Sequence, residues 1–479
     1  MQFLSFLFIL LFYPVLVFCQ NSLTLNDCIQ IALENNIELN QQKLETANKK
    51  ILLREQEQQL YPSINANGSH SYNWGRAIDP FTNQFTNNRR RTNNFSVSAQ
   101  TTLFQSGKIK NTTAQSEIDY EAAKYNEEIV RQDIILNVVA AYLQILLVQE
   151  QVSVAKNQIE RSVKQLEDAE EKFEVGILSK AEIIQLQAQK IADINNARNL
   201  QSDLTIAKLS LSQLLNVPFR NDFSVYKPDS LYVDLLDYET LTAQTLYSEI
   251  EAERPEVVSA ALNKEAANLG VKIAKAEYSP TLTVSGSLIS GYSSTSSLRQ
   301  VEVLDQYDVI GFLENDPSTQ VISTEPTQAF NMSDYPFADQ LDDNFSQSIA
   351  LSLSIPIYNN RRAKSLVGRA KINQQSAELA EKQTLNQLRE EIEGVFVDFQ
   401  VSKNNYLSQK ENLFYKETIY RNNLDKYDVG LINAFEILQS QADLSQAESD
   451  YVRSKYEYVF NSKLIDFYMG NPITLNQTK

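Results

Sequence analysis

The chain has 479 residues, with 60 Asp and Glu against 43 Lys and Arg and a formal net charge of −17. This acidic balance argues against nucleic acid as a partner, because nucleic-acid binding needs clustered positive charge. With 43% hydrophobic residues and one long apolar run, the chain is not a multi-span helical membrane protein. It has one His and 2 Cys, and no P-loop, HExxH or GxSxG motif. We therefore expect no metal site, no cofactor and no enzymatic activity.

The N-terminus begins with the longest apolar run of the chain, residues 3–18. This run is short for a membrane span, which needs about 20 residues, and its position predicts a signal peptide over residues 1–19, although no Lys or Arg precedes it. In the alternative interpretation, Cys19 is lipidated and becomes the first residue of the mature chain. If residues 1–19 are removed, Cys28 remains as a lone thiol, which we expect to be buried on an early helix.

The chain contains an internal repeat. Residues 173–188 (FEVGILSKAEIIQLQA) match residues 427–442 (YDVGLINAFEILQSQA), and the same separation of 254 residues takes Leu103-Phe104 to Ile357-Tyr358. Tyr61-Pro62 matches Ser279-Pro280 at a separation of only 218 residues. The second copy therefore holds 36 additional residues between Pro280 and Ile357. We assign residues 20–218 to the first repeat, 219–240 to a linker, 241–472 to the second repeat and 473–479 to a tail.

Each repeat is predicted to form a helix, two strands, a long helix and a further helix. The first helix of the chain covers residues 23–60 and is opened by Thr24. No Pro or Gly occurs from residue 109 to 173, which predicts one helix of ~98 Å, and Gly176 separates it from the next helix. The predicted elements of the first repeat are strands 62–75 and 94–104 and helices 109–173 and 181–215. Those of the second repeat are a helix, strands 280–292 and 345–357, and helices 363–427 and 435–469.

The long helices carry apolar residues seven positions apart. They are Val152, Ile159, Leu166 and Phe173, with the repeat mates Tyr406, Leu413, Tyr420 and Tyr427, and the small residues Ala155, Ser162 and Ala169 lie between them. This spacing favours coiled-coil packing, and an ordinary amphipathic core stripe is the alternative. The apolar segment 134–148 is too short to span a membrane, and we interpret it as a helical segment buried on most sides.

The four strands alternate between apolar residues and uncharged polar residues. Ile64, Ala66 and Gly68 alternate with Ser and Asn, and no strand interior is charged. Aromatic residues lie near both ends of the strands: Tyr72, Trp74, Phe95, Tyr292 and Phe345 at one end, and Tyr61, Phe104, Tyr278 and Tyr358 at the other. Strands of 10–11 residues with this pattern are typical of transmembrane barrels. Four strands cannot close a barrel, so the chain must oligomerise, and a conducting pore favours twelve strands over eight.

The ordered set of signal peptide, tandem repeat, neutral strand pairs, long helices and Phe/Tyr-x-Val-Gly-Ile/Leu turns resembles the TolC family of outer-membrane efflux proteins. The resemblance implies a mixed α and transmembrane β fold: a homotrimeric 12-stranded β-barrel in the outer membrane, continued by a long α-helical coiled-coil tunnel in the periplasm. It also implies a passive exit channel for efflux or type I secretion. The implied partners are outer-membrane lipid, a periplasmic adaptor and an inner-membrane pump of the RND or ABC type. A coiled-coil scaffold or adhesin without a pore is the alternative.

The resemblance also assigns roles to the turns between the long helices. They match the periplasmic tips where adaptors dock, through Val175, Gly176, Ile177, Val429, Gly430 and Leu431. Glu182 and Glu436 match acidic residues of the periplasmic aperture, and Tyr427 matches a tyrosine near the closed gate. The alternative for both glutamates is an acidic residue favoured by the positive end of a helix dipole. Ile432 replaces a gate-bridging Arg of some members, so their salt-bridged closure does not transfer.

Two charged segments are predicted outside the strands. Arg89, Arg90 and Arg91 lie between the first two predicted strands, on the cell-exterior side, where they either contact lipopolysaccharide or belong to a solvated loop. Residues 296–343 hold ten Asp and Glu and one Arg, and we interpret them as a long exterior loop that covers the mouth of the pore.

Overall fold

A computed structural model describes residues 22–78, 83, 85–86, 89–220, 222–227, 242–471 and 473. The predicted signal peptide with Cys19, most of the predicted linker and nearly all of the predicted tail lie outside these residues. The chain divides into two compact units. Unit 1 comprises Met1–Lys50, Ile118–Glu265 and Gln375–Lys479, and unit 2 comprises Ile51–Glu117 and Ala266–Gln374.

The helices are α1 (Leu25–Asn35), α2 (Ile37–Gln58), α3 (Lys108–Glu174), α4 (Lys180–Leu214), α5 (Ala243–Ile250), α6 (Pro255–Lys275), α7 (Phe337–Asp343), α8 (Arg362–Asp428) and α9 (Ala434–Tyr468). Thr24 and Asp27 form the capping box that begins α1. The single helix predicted for residues 23–60 is wrong, because Asn36 leaves the helical conformation at the end of α1 and its side-chain oxygen accepts the Leu39 N–H at 2.9 Å. Asn36 thereby separates α1 from α2.

The main core of unit 1 forms around the middle of α3. Tyr142, Ile145 and Leu146 are almost completely buried, and residues of α1, α4 and α9 pack in the same cluster. The burial predicted for residues 134–148 is therefore confirmed. Among the described helices, α3 alone is long and apolar enough to cross a membrane, and half of its apolar window is buried in the structure. Cys28 lies in the same core, and burial raises the pKa of its thiol to about 12.

The predicted seam of α3 is buried over most of its length. Ala155, Ser162 and Ala169 are buried together with Val152 and Leu166. At the end of α3 the seam stops, because Phe173 is 42% exposed. Its repeat mate Tyr427 is buried at the corresponding position of α8, so the two repeats differ in packing at their last helical turn.

The main sheet of unit 2 contains four antiparallel strands. They are β1 (Ser63–Asn73), β4 (Arg90–Phe104), β5 (Thr281–Ser293) and β8 (Ser346–Ser354), in the spatial order β1-β4-β5-β8. Two residues each form β2 (Ala77–Ile78) and β3 (Phe85–Thr86), which pair with one another. β4 begins four residues before the predicted strand, so Arg90 and Arg91 are strand residues and not loop residues.

The register of this sheet separates apolar from polar side chains. Ile64, Ala99, Gly286 and Ile349 lie opposite one another across the four strands. The next row consists of Asn65, Ser98, Ser287 and Ser348. Because neighbouring residues of a strand point to opposite faces, these rows give the sheet one apolar face and one uncharged polar face away from the strand ends.

The two outer strands of this sheet each have one unpaired edge. Among the strands that the structure describes, β1 pairs only with β4, and β8 pairs only with β5. Every residue of both outer strands is exposed. A free edge in lipid leaves backbone N–H and C=O groups without hydrogen bonds, at a cost of several kcal/mol each. In lipid, such a sheet could satisfy its two free edges only by pairing them with further strands.

Residues 296–343, predicted as a long exterior loop, form regular structure instead of an irregular loop. β6 (Ser297–Leu313) and β7 (Asp316–Asp334) make a separate two-stranded antiparallel sheet, and α7 follows it. Both strands are rich in β-branched and aromatic residues, which favour extended backbone. The acidic side chains that suggested a solvated loop lie on this hairpin and on α7.

Candidate functional site

The candidate site lies in unit 1, at the turns that follow α3 and α8. Gly176 ends α3 with φ of 80°, and its N–H donates to the Phe173 carbonyl at 2.9 Å. The Ile177 N–H donates to the Lys172 carbonyl at 2.9 Å. These two hydrogen bonds define a Schellman motif, whose left-handed residue is most often glycine. The Val-Gly sequence thus ends the helix and reverses the chain.

The turn after α8 has the same backbone geometry. Gly430 has φ of 76°, and its N–H donates to the Tyr427 carbonyl at 3.0 Å. The Leu431 N–H donates to the Lys426 carbonyl at 2.8 Å. We call residues 173–182 the first tip and residues 427–436 the second tip. Their similarity in sequence is therefore also a similarity in conformation.

Both tips expose aliphatic side chains. Val175 and Ile177 of the first tip and Val429 and Leu431 of the second are between 70% and 73% exposed. The next apolar residues, Leu178 and Ile432, are instead partly buried against the small core around Tyr427. Each tip is therefore anchored on one side and presents aliphatic groups on the other, which is an arrangement suited to binding an apolar partner surface.

Glu182 of the first tip forms a capping box at the start of α4. The Ser179 N–H and hydroxyl donate to Glu182 Oε2 at 2.8 and 2.9 Å, and the Glu182 N–H donates back to Ser179 Oγ at 3.4 Å. The hydrogen bonds from Ser179 lower the pKa of this carboxyl, and the backbone of Ala434 in the second tip adds a smaller effect in the same direction. Glu182 therefore occupies a capping position at a helix terminus, and its role at an aperture stays a prediction.

Glu436, at the matching position of the second tip, has a different environment. Asn433 caps α9 by accepting the Glu436 N–H at 3.1 Å. The Glu436 side chain is exposed, and its carboxylate has no hydrogen-bond partner in the described part of the chain. The capping residues also differ: Ser179 is hydrogen-bonded to the carboxylate that follows it, whereas Asn433 caps its helix through the backbone N–H of Glu436 alone. The two predicted aperture residues are therefore not equivalent.

Tyr427 lies where the two tips meet. Its side chain is buried and its hydroxyl has no hydrogen-bond partner among the described residues. Lys172 Nζ lies 5.0 Å from the centre of the Tyr427 ring and 3.1 Å from Asp428 Oδ1. Burial raises the pKa of Tyr427, and the nearby carboxylates of Glu182 and Asp428 raise it further. The structure thus brings the predicted gate tyrosine and one predicted aperture glutamate together.

A buried polar layer above the tips was missed by the sequence reasoning. Its side chains are Gln158, Ser162 and Gln165 of α3, Asp193 of α4 and Gln441 of α9, all of them less than 9% exposed. Gln158 donates to Asp193 at 3.3 Å, Gln441 donates to Ser162 at 2.9 Å, and Ser162 donates to Asp193. At the edge of the layer, Arg161 pairs with Glu448 at 2.6 Å. Polar residues at seam positions were the available signal, because such layers fix the register of packed helices.

The sheet with one apolar and one neutral polar face, together with two matched helical tips, defines the class of outer-membrane channel subunits. Residues 28–217 and 246–471 match the family described as "Outer membrane efflux protein". The chain belongs to this family, and it is an outer-membrane protein.

Individual relatives are distant in sequence and close in fold. The chain is 23% identical over 359 residues to outer membrane protein TolC of Escherichia coli (strain K12), and this match covers 72% of the chain but only 62% of that relative. VceC of Vibrio cholerae superposes with a TM-score of 0.74 at 16% identity, over 94% of this chain and 97% of that one. The Campylobacter jejuni CmeC outer membrane channel superposes with a TM-score of 0.71 at 19% identity, over 93% and 85%. The fold is thus that of known outer-membrane channels.

The difference between the two glutamates gives a prediction for hydrogen exchange at neutral pH. In Glu182→Gln the side-chain oxygen can still accept from the Ser179 N–H but carries no negative charge, and we expect the exchange of the Ser179 amide, corrected for the intrinsic rate, to accelerate about two- to fivefold, the effect of ~0.5–1 kcal/mol for an exposed cap. Glu436→Gln is the matched control and leaves exchange in the second tip unchanged.

The same variants give a pH dependence. Because the pKa of Glu182 is lowered in the folded protein, its stabilisation is present above the ordinary carboxyl pKa and is lost as the pH falls through the folded pKa. The difference between wild type and Glu182→Gln in the corrected exchange rate of the Ser179 amide should therefore shrink below about pH 4. A difference that persists at lower pH would contradict the capping role.

Proposed function

We propose that the protein is a passive exit channel of a tripartite efflux or type I secretion system, placed in the outer membrane and extending into the periplasm. The observation that carries this proposal is the main sheet of unit 2. Its apolar face suits contact with lipid, its neutral polar face suits a water-filled interior, and its free edges at β1 and β8 suit pairing with further copies.

The proposed assembly is a homotrimer. Two copies would supply eight strands, and a barrel of that size is filled by its own side chains. Three copies supply twelve strands and leave room for a pore, in agreement with the family to which the chain belongs. In this assembly the long helices α3 and α8, with α4 and α9, form the periplasmic tunnel. In the trimer, the free edges of each chain would pair with those of the neighbouring copies, and the three sheets would close into one barrel.

The proposed docking surface for a periplasmic adaptor is formed by the exposed aliphatic residues of the two tips. Val175 and Ile177 of the first tip and Val429 and Leu431 of the second lie on matched turns, and three chains would present six such turns. The adaptor in turn connects the channel to an inner-membrane pump of the RND or ABC type. The pump selects the cargo, so this chain requires no cargo-specific pocket.

The proposed aperture uses the two glutamates differently. Glu436 has an exposed carboxylate, and three copies around a threefold axis would form an acidic ring that attracts cations. Glu182 is held in its capping box, so its main contribution is to the shape of the first tip. Tyr427 lies where the two tips meet, and its ring contacts Lys172 in the last turn of α3.

Oligomer mass and conductance test the proposed channel. We expect the mature protein in detergent to give three times the chain mass by native mass spectrometry and to form stable conducting pores in planar bilayers. The physical reason is that only closure of the sheet satisfies the edges of β1 and β8 in lipid. A stable monomer without conductance would contradict the proposal and favour the alternative, a coiled-coil scaffold or adhesin without a pore.

Ion selectivity tests the aperture. We expect the pore to be cation-selective in asymmetric salt and Glu436→Gln to move the reversal potential toward zero, because three exposed carboxylates are lost per trimer. Glu182→Gln removes the same charge at the matched repeat position and should leave the reversal potential nearly unchanged. Equal shifts in the two variants would mean that both carboxylates line the constriction.

Export in cells tests the tips. Substitution of Ile177→Ser together with Leu431→Ser should reduce export to the level of a deletion strain, because it removes exposed apolar groups without altering the helix ends. The control Ile177→Val with Leu431→Val keeps an aliphatic surface and should restore export. Sensitivity is measured with toxic compounds to which the deletion strain is hypersensitive, and trimer yield is measured in the same membranes.

The choice of residues in this test follows from the backbone. Gly176 and Gly430 have φ of 80° and 76°, so a larger residue at either position strains the turn itself, even though space for a side chain is available. Loss of export in a glycine variant would not separate a changed fold from a lost contact. Full export by the double Ser variant at normal trimer yield would exclude the tips as the adaptor site.

A further inference from the structure

An arginine and aromatic cluster lies at the rim of the main sheet of unit 2, at the strand ends opposite those that lead into the helices. In the register of β1 with β4, Tyr72 lies opposite Arg91, and in that of β4 with β5, Tyr292 lies opposite Asn93. Arg91 shares its strand face with Phe95 and Val97, because these residues alternate along β4. Arg91 is therefore on the apolar face of the sheet, between two tyrosines.

The cluster is ordered by contacts between guanidinium groups and rings. Arg91 lies 5.3 Å from the centre of the Tyr292 ring, and its Nη2 donates to the Tyr292 hydroxyl at 3.1 Å. Arg89 lies 4.5 Å from the centre of the Tyr72 ring. The Trp74 ring stacks on the Tyr72 ring, with ring centres 6.1 Å apart. These contacts favour a fixed binding surface over the solvated loop that was one of the two sequence interpretations.

The two arginines are not neutralised within the chain. Both are exposed, and neither forms an ion pair with a carboxylate among the residues that the structure describes. Cation–π contacts hold a guanidinium in place but leave its charge and most of its N–H donors available. An anion with several oxygen atoms is the ligand that such donors prefer, and phosphate is bound by arginine in a bidentate manner.

The position of the cluster selects the source of that anion. The apolar face of a transmembrane sheet contacts lipid, and aromatic residues mark the level of the headgroups. Arg91 lies on this face at the end of the strand, so its guanidinium is at headgroup level beside Tyr72 and Trp74. The exposed aromatic rings additionally provide surfaces on which sugar rings stack. A phosphorylated saccharide in the outer leaflet meets both requirements.

We propose that Arg89 and Arg91, together with Tyr72, Trp74 and Tyr292, bind the phosphorylated saccharide headgroup of an outer-leaflet glycolipid. The site holds the rim of the sheet at the membrane surface and is separate from the pore and from the tips. It rests on the proposed membrane orientation of the sheet but not on transport, and lipid binding is measured without any export assay. A failure of this proposal is thus distinguishable from a failure of the proposed channel.

The test uses the only tryptophan of the chain, Trp74, as a reporter within the site. Purified full-length mature protein in detergent is titrated with lipid A, and Trp74 emission is recorded. We expect saturable binding by wild type and at least about tenfold weaker binding by Arg89→Gln with Arg91→Gln, because the variant loses its charge-assisted hydrogen bonds to the phosphates. Arg54→Gln with Arg369→Gln removes two exposed arginines of unit 2 elsewhere and is the matched control.

Two measurements on the wild-type protein keep the test independent of variant folding. Lipid A from which the phosphates have been removed should bind at least about tenfold more weakly. Inorganic phosphate at millimolar concentration should not displace lipid A, because it lacks the sugar and acyl groups. Equal binding of the phosphate-free lipid, equal binding by both double variants, or displacement by inorganic phosphate alone would overturn the proposal.

Discussion

Backbone hydrogen bonding in a medium without water is the constraint on which the rest of this structure depends. In hydrocarbon, an unpaired N–H or C=O group has no solvent to bind, and each such group costs several kcal/mol. The four-stranded sheet of unit 2 has paired inner strands and free edges at β1 and β8. In the proposed trimer these edges pair with those of neighbouring copies, so that closure of the barrel satisfies the backbone groups of β1 and β8.

The two tips of the internal repeat have the same backbone geometry but different side-chain contacts. Gly176 and Gly430 end their helices with the same pair of hydrogen bonds. The capping residues differ, Ser179 before α4 and Asn433 before α9, and only in the first tip is the carboxylate of the following glutamate hydrogen-bonded to its cap. A duplicated framework can thus preserve the geometry of a docking turn while the side chains at the aperture diverge.

In unit 1, apolar contacts and buried hydrogen bonds stabilise the helix packing in different regions. The large side chains around Tyr142 supply most of the burial that holds α3 in place. Near the tips, where small residues and amides replace them, hydrogen bonds between Ser162, Asp193 and Gln441 connect α3, α4 and α9. Such bonds contribute little net stability, but they favour the observed alignment of the helices, because a shifted helix would lose them.

Periodicity alone determined the long helices, the alternating strands and the repeat, because these depend on local spacing that a linear sequence records, and the ordered motifs then pointed to the family by resemblance. In the structure, β4 begins at Arg90, the first predicted helix is interrupted at Asn36, and the acidic segment contains a β-hairpin. Only the tertiary structure shows the different environments of Glu182 and Glu436 and the ring contacts of Arg89 and Arg91. These features depend on which residues from distant segments meet, and no local spacing of the chain encodes the hydrogen bonds, burial and ring contacts that result from such meetings.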